Sequence, residues 1–177
     1  MRKILNKAFF DRKTLIVARE LLGKVLVRKY YSPSRKRYVV AKEKITEVEA
    51  YIGPHDLASH ASKGRTRRTE VMFAEAGTIY VYLVYGMHEM LNVVTENKDY
   101  PAAVLIRGTK SAHGPGILTK KFKIDRKLNG LKLGIKSGLW IESNPSNLKL
   151  QTYKLPRVGV SYAGHDWSKK KYRFILR

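Results

Sequence analysis

The sequence predicts an α+β fold, a single mixed domain with a curved antiparallel β-sheet and a few helices. Three observations predict it. Strand-like runs follow one another with little helix between them, so parallel βαβ units are disfavoured. Two pairs of these runs are joined by short turn signals, which marks hairpins. The length, 177 residues, suits one domain with a real core and predicts a single unit over residues 1–177.

The elements follow in order. Leu15, Ala18, Leu21 and Leu22 form an apolar stripe at helical spacing, with Asp11 or Thr14 as the cap and Gly23 as the stop. Residues 24–31 read as a strand, 32–37 as a basic turn, and Tyr38 onward as a second, longer strand. Alternation puts Glu47, Glu49 and Tyr51 on one face of that strand and Val48, Ala50 and Ile52 on the other. Gly53-Pro54 ends it. Residues 55–70 show little periodicity and carry Lys63, Arg65, Arg67 and Arg68, a basic loop of a length that usually has a function.

Residues 78–85 are the clearest strand of the chain, and 90–95 read as its hairpin partner, with Tyr85 at the turn. Residues 102–107 are short and apolar, hence a buried strand. Gly114-Pro115-Gly116 opens a predicted helix over 117–128. Strands are predicted again over 139–142, 157–161 and 173–176.

Charge narrows the partners. Thirty-six Lys and Arg stand against 14 Asp and Glu, a formal net charge of +22. Such a surface calls for a polyanion, nucleic acid first and an anionic membrane second. The surplus is spread along the chain, which favours a basic folded face over a basic tail. Cysteine is absent, which removes disulfides and thiolate metal sites. No signal-peptide pattern and no run of roughly 20 apolar residues is visible. The expectation is a cytoplasmic protein, nucleoid-associated in a bacterium.

Several residues invite chemistry, each with a plainer alternative. Glu49 shares a face with Tyr51 beside a chain break, which suits a pocket mouth; it equally suits an ion pair on a half-exposed strand. Tyr80, Tyr82 and Tyr85 in one strand can be core residues, or a stacking surface and wedge for nucleic acid bases. His55, Asp56 and His60 lack the spacing of a metal site. No nucleophile motif or phosphate loop is present. An enzyme built on these residues would use water as nucleophile and a carboxylate as base, with neither metal nor cofactor.

Glu47–Gly53, His60, Met72-Phe73, Gly77–Met87 and Asn92 together resemble the alkyladenine (3-methyladenine) DNA glycosylase family. The resemblance continues through Ala103–Arg107, Gly114-Pro115-Gly116, Leu118-Thr119-Lys120, Arg157–Val160 and Ala163-Gly164, in order along nearly the whole chain. It implies a monofunctional enzyme that flips alkylated or deaminated purines out of duplex DNA and hydrolyses the N-glycosidic bond. The implied substrates are 3-methyladenine, 7-methylguanine, hypoxanthine and ethenoadenine.

Glu49 matches the catalytic glutamate, with Arg107 and the Val160 backbone in the water network beside it. Tyr51, His60 and Tyr82 match the base sandwich, and Asn92 the residue that obstructs guanine. Tyr85 matches the minor-groove wedge. Met87, Lys63, Arg65, Arg67 and Arg68 are expected beside it on the DNA. Thr69 and Ser161-Tyr162 depart from the family pattern. The implied partner is double-stranded DNA bound by a monomer. An ordinary glutamate pKa of about 4.3 would leave Glu49 ionised without any large shift. The competing reading is a non-catalytic basic nucleic-acid-binding protein, which accounts for the charge without needing Glu49.

Overall fold

A computed structural model describes residues 3–144 and 151–176. Two helices lead, α1 (Lys7–Phe10) and α2 (Thr14–Leu21). A long hairpin follows, β1 (Val25–Ser32) and β2 (Arg37–Ile52), then a shorter one, β3 (Ile79–Val84) and β4 (His88–Val94). The rest is β5 (Ala102–Thr109), β6 (Ala112–His113), α3 (Pro115–Phe122), β7 (Leu139–Glu142), β8 (Thr152–Leu155), α4 (Gly164–Lys169) and β9 (Arg173–Leu176). The nine strands make one open antiparallel sheet in the order β3-β4-β5-β2-β1-β7, with β6 on β5, β9 on β2 and β8 on β9. This is the predicted α+β class.

The pairing register assigns the two faces. Directly opposed residues of an antiparallel pair share a face. Ala50 opposes Val104, Val104 opposes Val93 and Val93 opposes Ile79. All four are buried in the main core, where Val17, Ala18 and Leu21 of α2 and Leu118 and Phe122 of α3 cover them. The row on the other face runs Glu49, Leu105, Asn92, Tyr80. The alternation expected over 47–52 therefore holds, with Val48 and Ala50 in the core and Glu49 and Tyr51 hydrogen-bonded to each other on the far side. Two register shifts near Glu47 turn the strand, so Ile45 joins Val48 in the core despite its odd spacing.

Three local expectations are corrected. Helix α2 is preceded by Lys13, not capped by Asp11 or Thr14. The Thr14 N–H donates 3.0 Å to the Glu96 carboxylate instead, and Asp11 closes α1 and pairs with Lys7. The helix predicted over 117–128 stops at Phe122, because Lys123 turns left-handed (φ 51°) and the Ile124 N–H returns to the Thr119 carbonyl. Leu128 belongs to a separate 3-10 turn, Arg126–Leu128. Residues 157–161 form no strand, since Gly159 (φ 73°) breaks the run before a 3-10 turn at Ser161–Ala163. The irregular stretch after β2 holds two 3-10 turns, His60–Lys63 and Glu70–Phe73.

Gly53 is the point where the chain leaves β2 for this stretch. Its φ is +113°, and an added Cβ would fall 2.5 Å from the Tyr100 hydroxyl, which itself donates 2.9 Å to the Ile52 carbonyl. Gly53→Ala is expected to lower unfolding free energy by about 1–3 kcal/mol through backbone strain and a displaced Tyr100. A urea titration in which the variant matches the parent would refute that reading of the turn.

Candidate active site

The face opposite the core is roofed by two stretches of irregular chain, residues 53–78 and 156–164. Between roof and sheet lies a slot lined by Tyr51, His60, Tyr80, Tyr82, Asn92 and Tyr162, with Ala58, Ser59, Met72 and Ala103 completing the wall. Counting its open mouth it holds about 310 Å³ of empty space, most of it at the mouth. Its rings pack closely: His60 meets Tyr82 edge-on at 4.7 Å, and Tyr80 lies 5.1 Å from Tyr82.

Glu49 sits one hydrogen bond behind this wall. It is completely buried. Its Oε2 accepts from the Tyr51 hydroxyl at 3.0 Å and its Oε1 from the Val158 N–H at 2.8 Å. Arg107 Nη1 stands 3.5 Å from Oε1, while Arg107 Nε donates 2.9 Å to Glu47. Burial raises the Glu49 pKa above the ordinary carboxylate value, against the pull of Arg107, the Val158 N–H and the Tyr51 hydroxyl. A carboxylate has roughly four lone-pair sites, so these partners fix its orientation and still leave an acceptor site unused.

The ionisable side chains that line the slot are uncharged near neutral pH, and the Arg68 guanidinium stands 5.1 Å from the centre of the Tyr82 ring. Burial raises the phenols of Tyr51, Tyr82 and Tyr80, the last to about 12. Burial, with Arg68 and Lys63 nearby, lowers His60 to about 4, so its ring is uncharged near neutral pH. Asn92 is buried, and its Nδ2 donates to the carbonyls of Tyr80 (3.3 Å) and Met90 (3.2 Å), which fixes the amide in the wall.

The structure thus gathers Glu49, Tyr51, His60, Tyr82, Asn92 and Arg107 around one slot. Val160 lies in the adjoining apolar cluster with Ala58 and Tyr51, and its carbonyl accepts from the Ala163 N–H. Tyr85 and Met87 are not in the slot. They stand at the tip of the β3–β4 hairpin, 88% and 72% exposed, where Tyr85 and Gly86 both adopt positive φ. The loop cations divide. Lys63 and Arg68 line a wider groove that shares Ser59, His60 and Tyr162 with the slot. Arg67 is exposed. Arg65 is held by Glu70 at 2.7 Å and Asp99 at 3.3 Å, over the ring of Phe73.

Four residues of the site were given no role in it from the sequence. Asp56 and Arg157 form a fully buried ion pair at 2.5 and 2.8 Å. Asp56 also accepts from the N–H groups of Ile52 and Ala58, and Arg157 donates to the Ala50 carbonyl. The pair clasps the roof to β2 and delivers the next residue, Val158, onto Glu49. Tyr162, 67% exposed, donates 2.8 Å to the Ala58 carbonyl and narrows the mouth. The sequence signals for them were indirect: Asp56 stood between two histidines, Arg157 and Val158 in the run that carries the resemblance, and Tyr162 at a departure from its pattern.

Comparison with known proteins agrees along the whole chain. The family model described as methylpurine-DNA glycosylase matches residues 8–113 and 109–177. A Legionella pneumophila (strain Paris) protein named "Putative 3-methyladenine DNA glycosylase" is 42% identical over 184 residues, covering 100% of this chain and 96% of its own. A protein of the same name from Methanocella arvoryzae is 43% identical over 92% of this chain and 88% of its own. Another, from Wolbachia sp. subsp. Brugia malayi, is 45% identical over 90% of this chain and 91% of its own.

Proposed function

The chain belongs to the methylpurine-DNA glycosylase family, and from that premise we propose that it flips alkylated or deaminated purines from duplex DNA into the slot and hydrolyses their N-glycosidic bond there. The substrates in this reading are 3-methyladenine, 7-methylguanine, hypoxanthine and ethenoadenine. The observation that carries it is Glu49, oriented by the Val158 N–H and the Tyr51 hydroxyl directly behind an aromatic slot.

Each part has a task in the reaction. Glu49 accepts the proton of the attacking water, and its charge stabilises the positive charge that develops on the sugar. Its raised pKa makes it a stronger base than an exposed glutamate. Arg107 and Glu47 fix it from behind, and the Val160 backbone helps hold the attacking water. Tyr51, His60 and Tyr82 hold the purine by stacking, which accepts many lesions because every purine has a π-face. A cationic methylpurine gains further from electron-rich rings. Asn92 meets the exocyclic edge of the base and obstructs guanine. Flipping costs a few kcal/mol, least for a damaged base, and Tyr85, with Met87 beside it, offsets part of that by filling the gap. Lys63, Arg67 and Arg68 hold the backbone, while Arg65 braces the loop. The protein acts as a monomer of one domain.

The test is a duplex bearing one hypoxanthine or ethenoadenine. The expected result is an abasic site without strand cleavage, formed equally in EDTA. Binding without base release would leave only the non-catalytic reading. Tyr85→Ala is expected to slow single-turnover release roughly 5- to 150-fold, the worth of one base-stacking contact of about 1–3 kcal/mol. Affinity for undamaged duplex should hardly move. An equal loss in both measurements would remove the wedge assignment.

A further inference from the structure

The β1–β2 hairpin extends well past the rest of the sheet. β7 covers β1 only over Val25–Arg28, and β5 and β9 meet β2 only from Ile45 onward. Among the described residues, Tyr30–Ser32 and Arg37–Val39 pair with each other alone, and Val40–Lys42 pair with Val27–Lys29 on one side only. The result is a two-stranded ribbon with both edges free.

Its composition is one-sided. From Lys24 to Lys42 there are seven Lys or Arg and no Asp or Glu. Lys29, Arg35, Lys36 and Arg37 are all exposed. Two tyrosines stand among them, Tyr31 (54% exposed) and Tyr38 (66%). Their rings meet edge-on at 5.6 Å, and the Lys29 ammonium lies 5.2 Å from the centre of the Tyr38 ring. Large exposed aromatics fixed among cations do nothing for the core, and a solvated charge run does not need them.

The ribbon also faces the right way. Leu26 and Ala41 pack toward the main core, so Lys29, Tyr31, Tyr38 and Val40 stand on the opposite side. That is the side that carries Glu49 and Tyr51. Arg37 is twelve residues from Glu49 along β2, at most roughly 40 Å at about 3.3 Å per residue. One turn of B-DNA is about 34–36 Å.

We infer that this ribbon is a second DNA contact, gripping the duplex backbone about one helical turn from the flipped base. Lys29, Arg35, Lys36 and Arg37 neutralise phosphates, and the Tyr31–Tyr38 pair rests on the sugar edge. The inference rests on the DNA substrate of the family, not on the assignment of the slot. A grip remote from the lesion gives affinity without sequence preference and resists rotation of the duplex while the base is out.

The experiment compares binding of undamaged 12-base-pair and 30-base-pair duplexes by fluorescence anisotropy across a salt series. The proteins are wild type, the Arg35→Ala/Lys36→Ala/Arg37→Ala variant and the Tyr31→Ser/Tyr38→Ser variant. A short duplex ends before the ribbon and a long one reaches it. Wild type should favour the long duplex beyond the statistical gain in sites, and both variants should lose that excess. For the charge variant the salt slope on the long duplex should fall by about two to three, near 0.9 per phosphate contact. An Arg35→Lys/Arg37→Lys variant should keep it.

Unchanged length preference and slope would overturn the inference. So would an equal loss on both duplexes, or a loss confined to an RNA hairpin or to phosphatidylglycerol vesicles. Base release at saturating DNA should stay as in wild type. If wild type releases no base at all, the slot assignment fails while the length comparison still decides the ribbon.

Discussion

Glu49→Gln is expected to cut single-turnover base release by roughly 10²- to 10⁴-fold, the usual weight of a positioned general base, with DNA affinity retained. The substitution is nearly isosteric. Its carbonyl can still accept from the Val158 N–H, and the Tyr51 hydroxyl can reverse to accept from the new amide. Arg107 keeps its 2.9 Å bond to Glu47. Burial already opposes the ionised form of Glu49, so removing the charge should cost little stability. An unfolding midpoint close to the parent's would separate this loss from a folding defect. Base release within a few-fold of wild type would show that Glu49 is a buried ion-pair carboxylate and nothing more.

The pH profile gives the same assignment a second readout. The carboxylate acts as base only when ionised, so the rate falls as pH drops through its folded pKa. That pKa is raised, so the acid limb belongs above the ordinary glutamate value of about 4.3. His60 takes a proton only near 4 and stays neutral through the limb. A duplex carrying 7-methylguanine isolates the enzyme's own titration, because that base is already cationic and needs no proton to leave. Arg107→Met removes a group that lowers the Glu49 pKa and should move the limb further up. A limb at or below the ordinary glutamate value would contradict the buried, desolvated carboxylate.

Much of this site could be read from the sequence because strands keep a period of two. Glu49 and Tyr51 had to share a face, and the β3–β4 pattern placed Tyr85 at a hairpin tip. Both hold in the structure. The joining of Glu49, Asn92 and Tyr80 in one row depends on the β2–β5–β4–β3 register, which no local pattern encodes. The misread segments have local causes. Residues 117–128 keep an apolar spacing across a left-handed Lys123, so periodicity ran on where the backbone did not. The alternation of 157–161 suggested a strand, yet Arg157 points inward to Asp56 and Gly159 breaks the run. β8 and α4 bury no residue, so neither leaves an apolar pattern in the sequence.

The Asp56–Arg157 pair is the clearest case of what sequence hides, and it carries the other large expected effect. The partners lie 101 positions apart and neither side chain is exposed. Removing one member of a buried pair leaves an uncompensated charge and costs about 3–5 kcal/mol. The two removals should differ. Arg157→Met leaves Asp56 with the N–H groups of Ile52 and Ala58 still bound. Asp56→Ala strands both N–H groups and the guanidinium together, so it is the more damaging change. The double variant should be less destabilised than the sum of the two, since the second removal takes away the charge that the first left bare. Base release should suffer even at temperatures where Arg157→Met stays folded, because Arg157 anchors the segment whose Val158 N–H orients Glu49. Urea titrations of the three variants, with single-turnover rates on the folded protein, check both statements. If the two single variants cost the same and the double equals their sum, the pair is not acting as a clasp. If Arg157→Met leaves the rate untouched, the roof holds Val158 in place without it.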